Sequence, residues 1–199
     1  MASLLFLQRF FDIPWLFNAV RNLIDRKQVD ELKKIIESFK IEKILDVGCG
    51  TGMFCGITDK KYVGVDTVPS FIEYAIKKYG SKNKKFILMN ATNIIFKAKE
   101  FDAVILVDFI HHIPNDVVVN ILKNAANVSK KVIIWDAIPQ KNFVSQIFYA
   151  LDRGKYMRSL NEQIELVRNS ARLKVVKVAE FRSFPWIYLH SIIICEPTK

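Results

Sequence analysis

The 199-residue sequence predicts a doubly wound α/β fold, a mostly parallel seven-stranded sheet with an antiparallel C-terminal hairpin. Three observations carry this. Short apolar runs alternate with helix-spaced segments through residue 135. The run Phe101–Val107 is almost wholly apolar, as suits a middle strand of a parallel sheet covered on both faces. The last two strand-like segments, Val175–Phe181 and Tyr188–Cys195, alternate in polarity and are tightly joined by Ser183–Trp186, as in a hairpin.

Residues 4–38 read as two or three helices. Pro14 fits a helix start, and Leu23, Leu32, Ile35, Ile36 and Phe39 give a helical apolar spacing. Ile41–Val47, which ends in glycines, is the first strand and Lys61–Val65 the second. Pro69 opens a helix with Ser70 and Glu73 in its first turn, and Gly80 stops it. Phe86–Met89 and Phe101–Val107 are the third and fourth strands. Pro114 opens a helix to about Val128, Lys131–Trp135 is the fifth strand, and 140–151 and 159–171 are helical. With no repeat, low-complexity tract or Pro/Gly/Ser linker, residues 1–199 are expected to form one domain. Within it, 1–39 is an N-terminal helical lid and 40–199 the α/β core.

Hydrophobic residues make up 51% and charged residues 25%, the proportions of a soluble globular chain. The mean hydropathy of +0.14 fits either a large buried sheet or an apolar pocket. No apolar run reaches the roughly 18 residues of a membrane span. The opening MASLLFLQRFF has neither a basic n-region nor a cleavage site, so it is not read as a signal peptide. Cys49, Cys55 and Cys195 are scattered and odd in number, which points to a reducing, cytoplasmic compartment and to neither disulfides nor a metal site. The net charge of +10 is compatible with nucleic acid or an anionic lipid surface. Lysines such as Lys77, Lys78, Lys82, Lys84 and Lys85 are nevertheless spread as on a solvated face, so nucleic acid is not the favoured partner.

In an open α/β sheet ligands bind beyond the carboxyl ends of the strands. The first strand is followed by Asp46-Val47-Gly48-Cys49-Gly50-Thr51-Gly52, three glycines at alternate positions that allow a sharp turn and close approach of backbone to a ligand. This G-x-G-x-G differs from the dinucleotide fingerprint G-x-G-x-x-G, which seats a pyrophosphate on a helix N-terminus. Asp66 ends the second strand 14 residues beyond Gly52, where its carboxylate can accept from both hydroxyls of a ribose, or alternatively cap the helix near Pro69. Asn90-Ala91 follows the third strand, and Asp108-Phe109-Ile110-His111-His112-Ile113 the fourth.

ILDVGCGTG, YVGVD, MNA and FDAVILVDFIHHIP together resemble the successive motifs of the class I S-adenosylmethionine-dependent methyltransferases, over about residues 40–136. The nearest likeness is to the small-molecule and lipid branch, which includes the ubiquinone/menaquinone C-methyltransferases. The resemblance implies S-adenosylmethionine as cofactor, a ligand without phosphate. It also implies that Asp46 joins the network around the methionine amino group, that Gly48, Cys49 and Gly50 line the cofactor, and that Asp66, with Thr67 beside it, holds the ribose. Asn90, where the family usually has Asp, contacts the adenine amine. Ala91 lies beside the base, and Asp108 and Phe109 border the point where the methyl group emerges. The brief interval from Met53 to Lys60 departs from the family in leaving a short first helix.

Methyl transfer from a sulfonium is an in-line displacement, so alignment of the partners can supply roughly 7–11 kcal/mol. A base is needed only where the acceptor loses a proton, and His111 and Asp136 are the candidates for catalytic roles. His112, Arg153 and Arg158 are candidates for substrate contact, whereas His190 in the last strand reads as a packed core residue. Phe6, Phe10, Phe11, Trp15 and Phe17 fit a lid, a packed flank or a helix resting on a membrane. The absence of N-P-P-Y or D-P-P-Y argues against amino-methylation of DNA bases, and the lack of Cys after the fourth strand argues against cytosine C5 methylation. The expected function is methyl transfer to O, N or C of a small-molecule or lipid-like acceptor. An RNA methyltransferase and a non-catalytic S-adenosylmethionine-binding module are the alternatives.

Overall fold

In the computed structural model, strands β1 (Lys43–Val47), β2 (Lys61–Asp66), β3 (Lys84–Leu88), β4 (Phe101–Val107), β5 (Ser129–Ile138), β6 (Leu173–Arg182) and β7 (Leu189–Pro197) form one sheet. The order is β3-β2-β1-β4-β5-β7-β6. The structure describes residues 27–143, 145, 146, 149, 154–182 and 189–198. The aromatic N-terminal stretch, Arg153 and the Ser183–Trp186 turn lie outside these residues, as do most of the predicted N-terminal helices.

β1 to β5 pair in parallel. β7 then inserts antiparallel between β5 and β6. This is the predicted architecture, with the hairpin's second strand, not its first, next to the parallel set. The helices are α1 (27–38), α2 (Pro69–Tyr79), α3 (Asn115–Val128) and α4 (Leu160–Asn169). Residues 143, 145, 146 and 149 are also helical. Gly80 follows α2 and donates its backbone N–H to the Ile76 carbonyl. Ser159 caps α4 reciprocally with Glu162, each side chain bonding the other's backbone N–H, as the spacing S-x-x-E favours.

The sheet is covered on both faces, as suits central strands that are apolar at most positions. On one face Leu45, Val47, Leu106, Ile134 and Ile193 pack beneath Val118, Ile121 and Leu122 of α3 and Leu166 and Val167 of α4. On the other, Ile44, Tyr62, Ile105, Ile133, Trp135 and Ile194 pack beneath Leu32 and Ile36 of α1 and Ile72 and Ala75 of α2. Ala103, Val104, Ile105 and Leu106 of β4 are wholly buried, each large apolar side chain there contributing roughly 1.5–3 kcal/mol.

β5 is longer than the sequence suggested. It runs on to Ile138 because β7 pairs with it as far as Ile138↔Leu189, which the apolar run Lys131–Trp135 alone did not signal. Asp136 therefore lies within a strand, opposite Ser191, and not in a loop after it. Strand order reverses between β1 and β4, and the turns leaving these two strands face each other across that switch point.

Ile105→Ala should destabilise the fold by about 2–5 kcal/mol, as large-to-small changes in a fully buried site do. Val178→Ala on edge strand β6, where the side chain is 39% exposed, should cost under about 0.5 kcal/mol. Urea unfolding of the two variants checks the contrast.

Candidate active site

Three glycines shape the turn after β1, all with left-handed backbone: φ is +77° at Gly48, +53° at Gly50 and +78° at Gly52. A Cβ at Gly48 would lie 2.1 Å from the Phe109 ring, and one at Gly52 would lie 2.6 Å from Phe86. A Cβ at Gly50 would meet nothing within 4 Å. Gly48 and Gly52 are thus closed by protein, whereas Gly50 faces open space and leaves room for a ligand against its backbone. The turn is sewn to β2, Gly48 and Cys49 both donating to the Val65 carbonyl at 2.9 and 3.0 Å.

Asp66, at the tip of β2, joins two loops. Its Oδ2 accepts from the Gly50 N–H at 2.8 Å and its Oδ1 from the Val68 N–H at 2.9 Å. Each oxygen keeps further acceptor capacity, so the carboxylate is aimed and still able to receive two hydroxyls. The bond to Val68 also ties down the start of α2, so the capping alternative holds in the form of a turn rather than a helix cap. Thr67 beside it is exposed.

Asp46 lies under the turn, 1% exposed, and accepts a hydrogen bond from the Tyr62 hydroxyl. Burial raises its pKa from the ordinary 3.8 to about 7, with the Tyr62 bond opposing and the Asp66 charge adding to the rise. Burial and the nearby carboxylates raise the Cys49 thiol far above its ordinary value, which makes Cys49 a packing residue and not a nucleophile. Asn90 at the tip of β3 is exposed, and its Oδ1 accepts from both the N–H and the hydroxyl of Thr92 at 2.9 Å. The oxygen expected to meet an adenine amine is therefore already engaged in a local turn. Ala91 is buried beside it. The stretch after the glycine turn is a five-residue 3₁₀ helix, Met53–Ile57, matching the short first helix expected.

At the tip of β4, Asp108 has φ +47°, a conformation Asp tolerates better than most residues. That twist carries its carboxylate toward the face of α1. There Oδ2 accepts from the Gln28 amide at 3.2 Å and Oδ1 lies 3.1 Å from His190 Nε2. Phe109 turns the other way and lays its ring on Gly48.

Ile110–His112 form a 3₁₀ turn. It buries His111 to 1% exposure and brings its Nδ1 into a short hydrogen bond with Asp136 Oδ1. The two catalytic candidates, 25 residues apart in sequence, thus form one pair. Gly154 packs at the His111 ring edge, where a Cβ would lie 2.6 Å from Cδ2, and the Tyr156 N–H donates to the His111 carbonyl at 2.9 Å. His112 is exposed, its ring 4.1 Å from that of His111.

Arg158 departs from the expected substrate clamp. It is 5% exposed, and its guanidinium donates to Asn115 Oδ1 at 2.8 Å and to the carbonyls of Ile110 and Ile113 at 2.7 and 2.6 Å. Those carbonyls flank the His111 turn, so Arg158 braces the pair from behind instead of facing a ligand. Gln163, missed in the sequence, supports the same corner by donating to the Ala137 and Arg158 carbonyls at 3.2 and 3.1 Å. His190 is buried, as the sequence reading has it, and lies against Asp108; Gln28, which also meets Asp108, was not singled out. Period-two alternation puts His190 on one face with Ile192 and Ile194, but only the β5–β7 register brings it to Asp108.

A family model described as a methyltransferase domain matches residues 44–131. Among curated proteins none matches the chain. Solved structures do. Magnesium protoporphyrin IX methyltransferase from Synechocystis PCC 6803, crystallised with S-adenosylhomocysteine, is 15% identical. The match covers 86% of this chain and 83% of that one, with a TM-score of 0.67. A methyltransferase described as SAM-dependent, from Aquifex aeolicus, is 17% identical over 83% of this chain and 89% of its own, at 0.64. The mitomycin 7-O-methyltransferase is 15% identical over 85% of this chain and 54% of its own, at 0.68. At such identities the structural likeness is one of fold.

The Asp46 shift has a measurable sign. Between about pH 4 and 7 the folded protein holds a proton on Asp46 that the unfolded chain has released, so this group's contribution to stability falls as pH rises through that window and is level above it. Asp46→Asn, which can still accept from Tyr62, should therefore gain in melting temperature relative to the natural chain as pH rises from 4 to 7, with no difference at the acid end. An equal offset at every pH would refute the buried, protonated carboxyl. The glycine turn after β1, Asp66 at the tip of β2 and His111 after β4 all fall within residues 44–131, the stretch that matches a methyltransferase domain, and Asp136 lies just beyond it.

Proposed function

We propose that the protein methylates a small-molecule or lipid-like acceptor in the cytoplasm. The observation that carries the reading is the bond from the Gly50 N–H to Asp66, because it sets an open glycine and an aimed carboxylate side by side at adjoining strand tips. Gly48, Cys49 and Gly50 give the cofactor a backbone wall, Asp66 takes the two ribose hydroxyls, Ala91 flanks the base, and Asp108 and Phe109 border the transfer point. When bound, S-adenosylmethionine supplies a methyl group already activated by its sulfonium. The protein's task is then alignment and, for acceptors that must lose a proton, its removal.

His111 is the proposed base. Asp136 on Nδ1 selects the tautomer and stabilises the imidazolium, which directs proton transfer through Nε2. The small-molecule reading is supported by fold neighbours whose names specify a porphyrin and mitomycin. The quinone C-methyltransferase branch, suggested by the motifs, falls within the same acceptor class. No described helix is long and apolar enough to cross a membrane.

Incubation with methyl-labelled cofactor and fractionated cell extract tests the class. Label in small metabolites or lipids is expected, and label confined to RNA would overturn the reading. Asp66→Ala should weaken cofactor binding by about 1–3 kcal/mol in calorimetry, through loss of charged hydrogen bonds. His111→Ala should lower turnover far more than cofactor affinity, and full activity would remove it as base.

A further inference from the structure

Lysines that look dispersed in the sequence are gathered by the fold. The passage from α2 into β3 reads Lys77-Lys78-Tyr79-Gly80-Ser81-Lys82-Asn83-Lys84-Lys85, five lysines and no acid in nine residues. The β2–β3 register sets Lys84 opposite Tyr62 and Lys85 opposite Val63, so this turn lies beside Lys60 and Lys61 at the start of β2. Hydrogen bonds hold the arrangement. The Ser81 N–H donates to the Lys84 carbonyl at 3.0 Å, and the Lys84 N–H donates to the Ser81 hydroxyl at 3.2 Å. The Tyr62 N–H donates to the Asn83 carbonyl at 2.8 Å, and the Asn83 amide donates to the Asp59 carbonyl at 3.3 Å. All of these lysines but Lys84 are exposed.

The other strand starts are neutralised. Lys43 pairs with Glu100 at 2.9 Å, Lys130 with Asp102 at 2.8 Å and Lys131 with Glu196 at 2.6 Å. At the β2–β3 corner Glu42 reaches Lys60 at 3.8 Å. Asp59 adjoins Lys60 in sequence, and Glu73 stands one helical turn before Lys77 without an ion pair to it. Lys61, Lys77, Lys82, Lys84 and Lys85 make no ion pair among the described residues. Unpaired positive charge is thus concentrated at one corner, on edge strand β3.

The chemistry of the corner selects among polyanions. Its cations are all lysines, hydrated point charges, and none is the planar arginine fork that grips a phosphate through two bonds. Single-stranded nucleic acid is held on aromatic rings that stack with its bases. Here Lys78 Nζ covers the rings of both Tyr74 and Tyr79, 5.2 Å from each centroid. Ile76, beside Lys77 in the last turn of α2, is 51% exposed. An apolar side chain among cations gains nothing from a phosphate backbone but is buried in the headgroup layer of a bilayer. We propose that this corner docks the protein on an anionic lipid surface. Such surfaces attract clusters of about four to eight lysines. Asp66 lies at the other end of β2, six residues at about 3.3 Å each. A protein resting on the corner therefore turns its cofactor end to the water.

The full chain is sedimented with phosphatidylcholine vesicles, with and without phosphatidylglycerol. Binding is expected only where phosphatidylglycerol is present, and should fall as salt rises. Two triple variants that lose equal charge locate the surface. Lys77→Gln with Lys82→Gln and Lys85→Gln should weaken vesicle binding about a hundredfold, at about fivefold per lysine. Lys33→Gln with Lys123→Gln and Lys177→Gln, exposed lysines elsewhere, should weaken it less than about threefold. If the two variants weaken binding equally, or the natural chain does not sediment with the phosphatidylglycerol vesicles at low salt, the docking surface is overturned. If poly(U), followed by fluorescence anisotropy, binds the natural chain more tightly than the vesicles do and the corner variant loses that binding, the corner serves nucleic acid and the proposal falls. All six substituted lysines are exposed, so the fold is not at stake. Neither cofactor nor acceptor is used, so the methyltransferase reading stands whichever result is obtained.

Discussion

One carboxylate serving two loops organises the cofactor end of the sheet. Asp66 receives the Gly50 N–H through one oxygen and the Val68 N–H through the other, so the turn after β1 and the entry to α2 are set by the same group. Hydrogen bonds to a charged acceptor contribute about 1.5–3 kcal/mol each, enough to hold a glycine-rich turn that would otherwise sample many conformations. The geometry exists because β1 and β2 are parallel neighbours in register, Val47 opposite Val65, which brings the two strand ends level. Gly50 presents bare backbone to the space so framed, and Asp46, buried with Tyr62, underlies it.

The tip of β4 divides the acceptor end in two. The left-handed backbone at Asp108 sends its carboxylate to the α1 face and the following residues to the other. The result is two histidine–carboxylate pairs on either side of one strand, His190 with Asp108 and His111 with Asp136. They differ in setting. His111 is enclosed by Gly154 and by the turn that Arg158 braces, and its carboxylate comes from β5. His190 comes from β7, and its carboxylate is shared with the Gln28 amide. A rigid parallel sheet supplies the platform for both, since every central strand beneath them is buried on two faces.

Much of this was legible in the residues. Periodicity placed α2 and β4 to the residue, because Pro69 and Gly80 mark one and an unbroken apolar run marks the other. The glycine turn and Asp66 were readable because their chemistry is local: each demands a particular residue at a particular strand end. What escaped depends on long-range register. β5 was drawn too short because its last residues are held by pairing with β7, and Asp136 was accordingly placed in a loop. Arg158 looked like a ligand clamp because sequence cannot show that three protein oxygens already surround its guanidinium. Gln28 and His190, 162 residues apart, meet at Asp108 only after the hairpin has folded back against β5.

The contact between Gly48 and Phe109 joins the two ends of the site mechanically. With the Phe109 ring filling the space a side chain at 48 would need, the cofactor turn cannot shift without pushing the segment that begins at Asp108. Movement of the turn is thereby felt at the segment after β4 through steric contact alone. Position 48 is constrained from two directions, by its left-handed backbone and by an aromatic neighbour, so any side chain there would strain the turn and displace the Phe109 ring together.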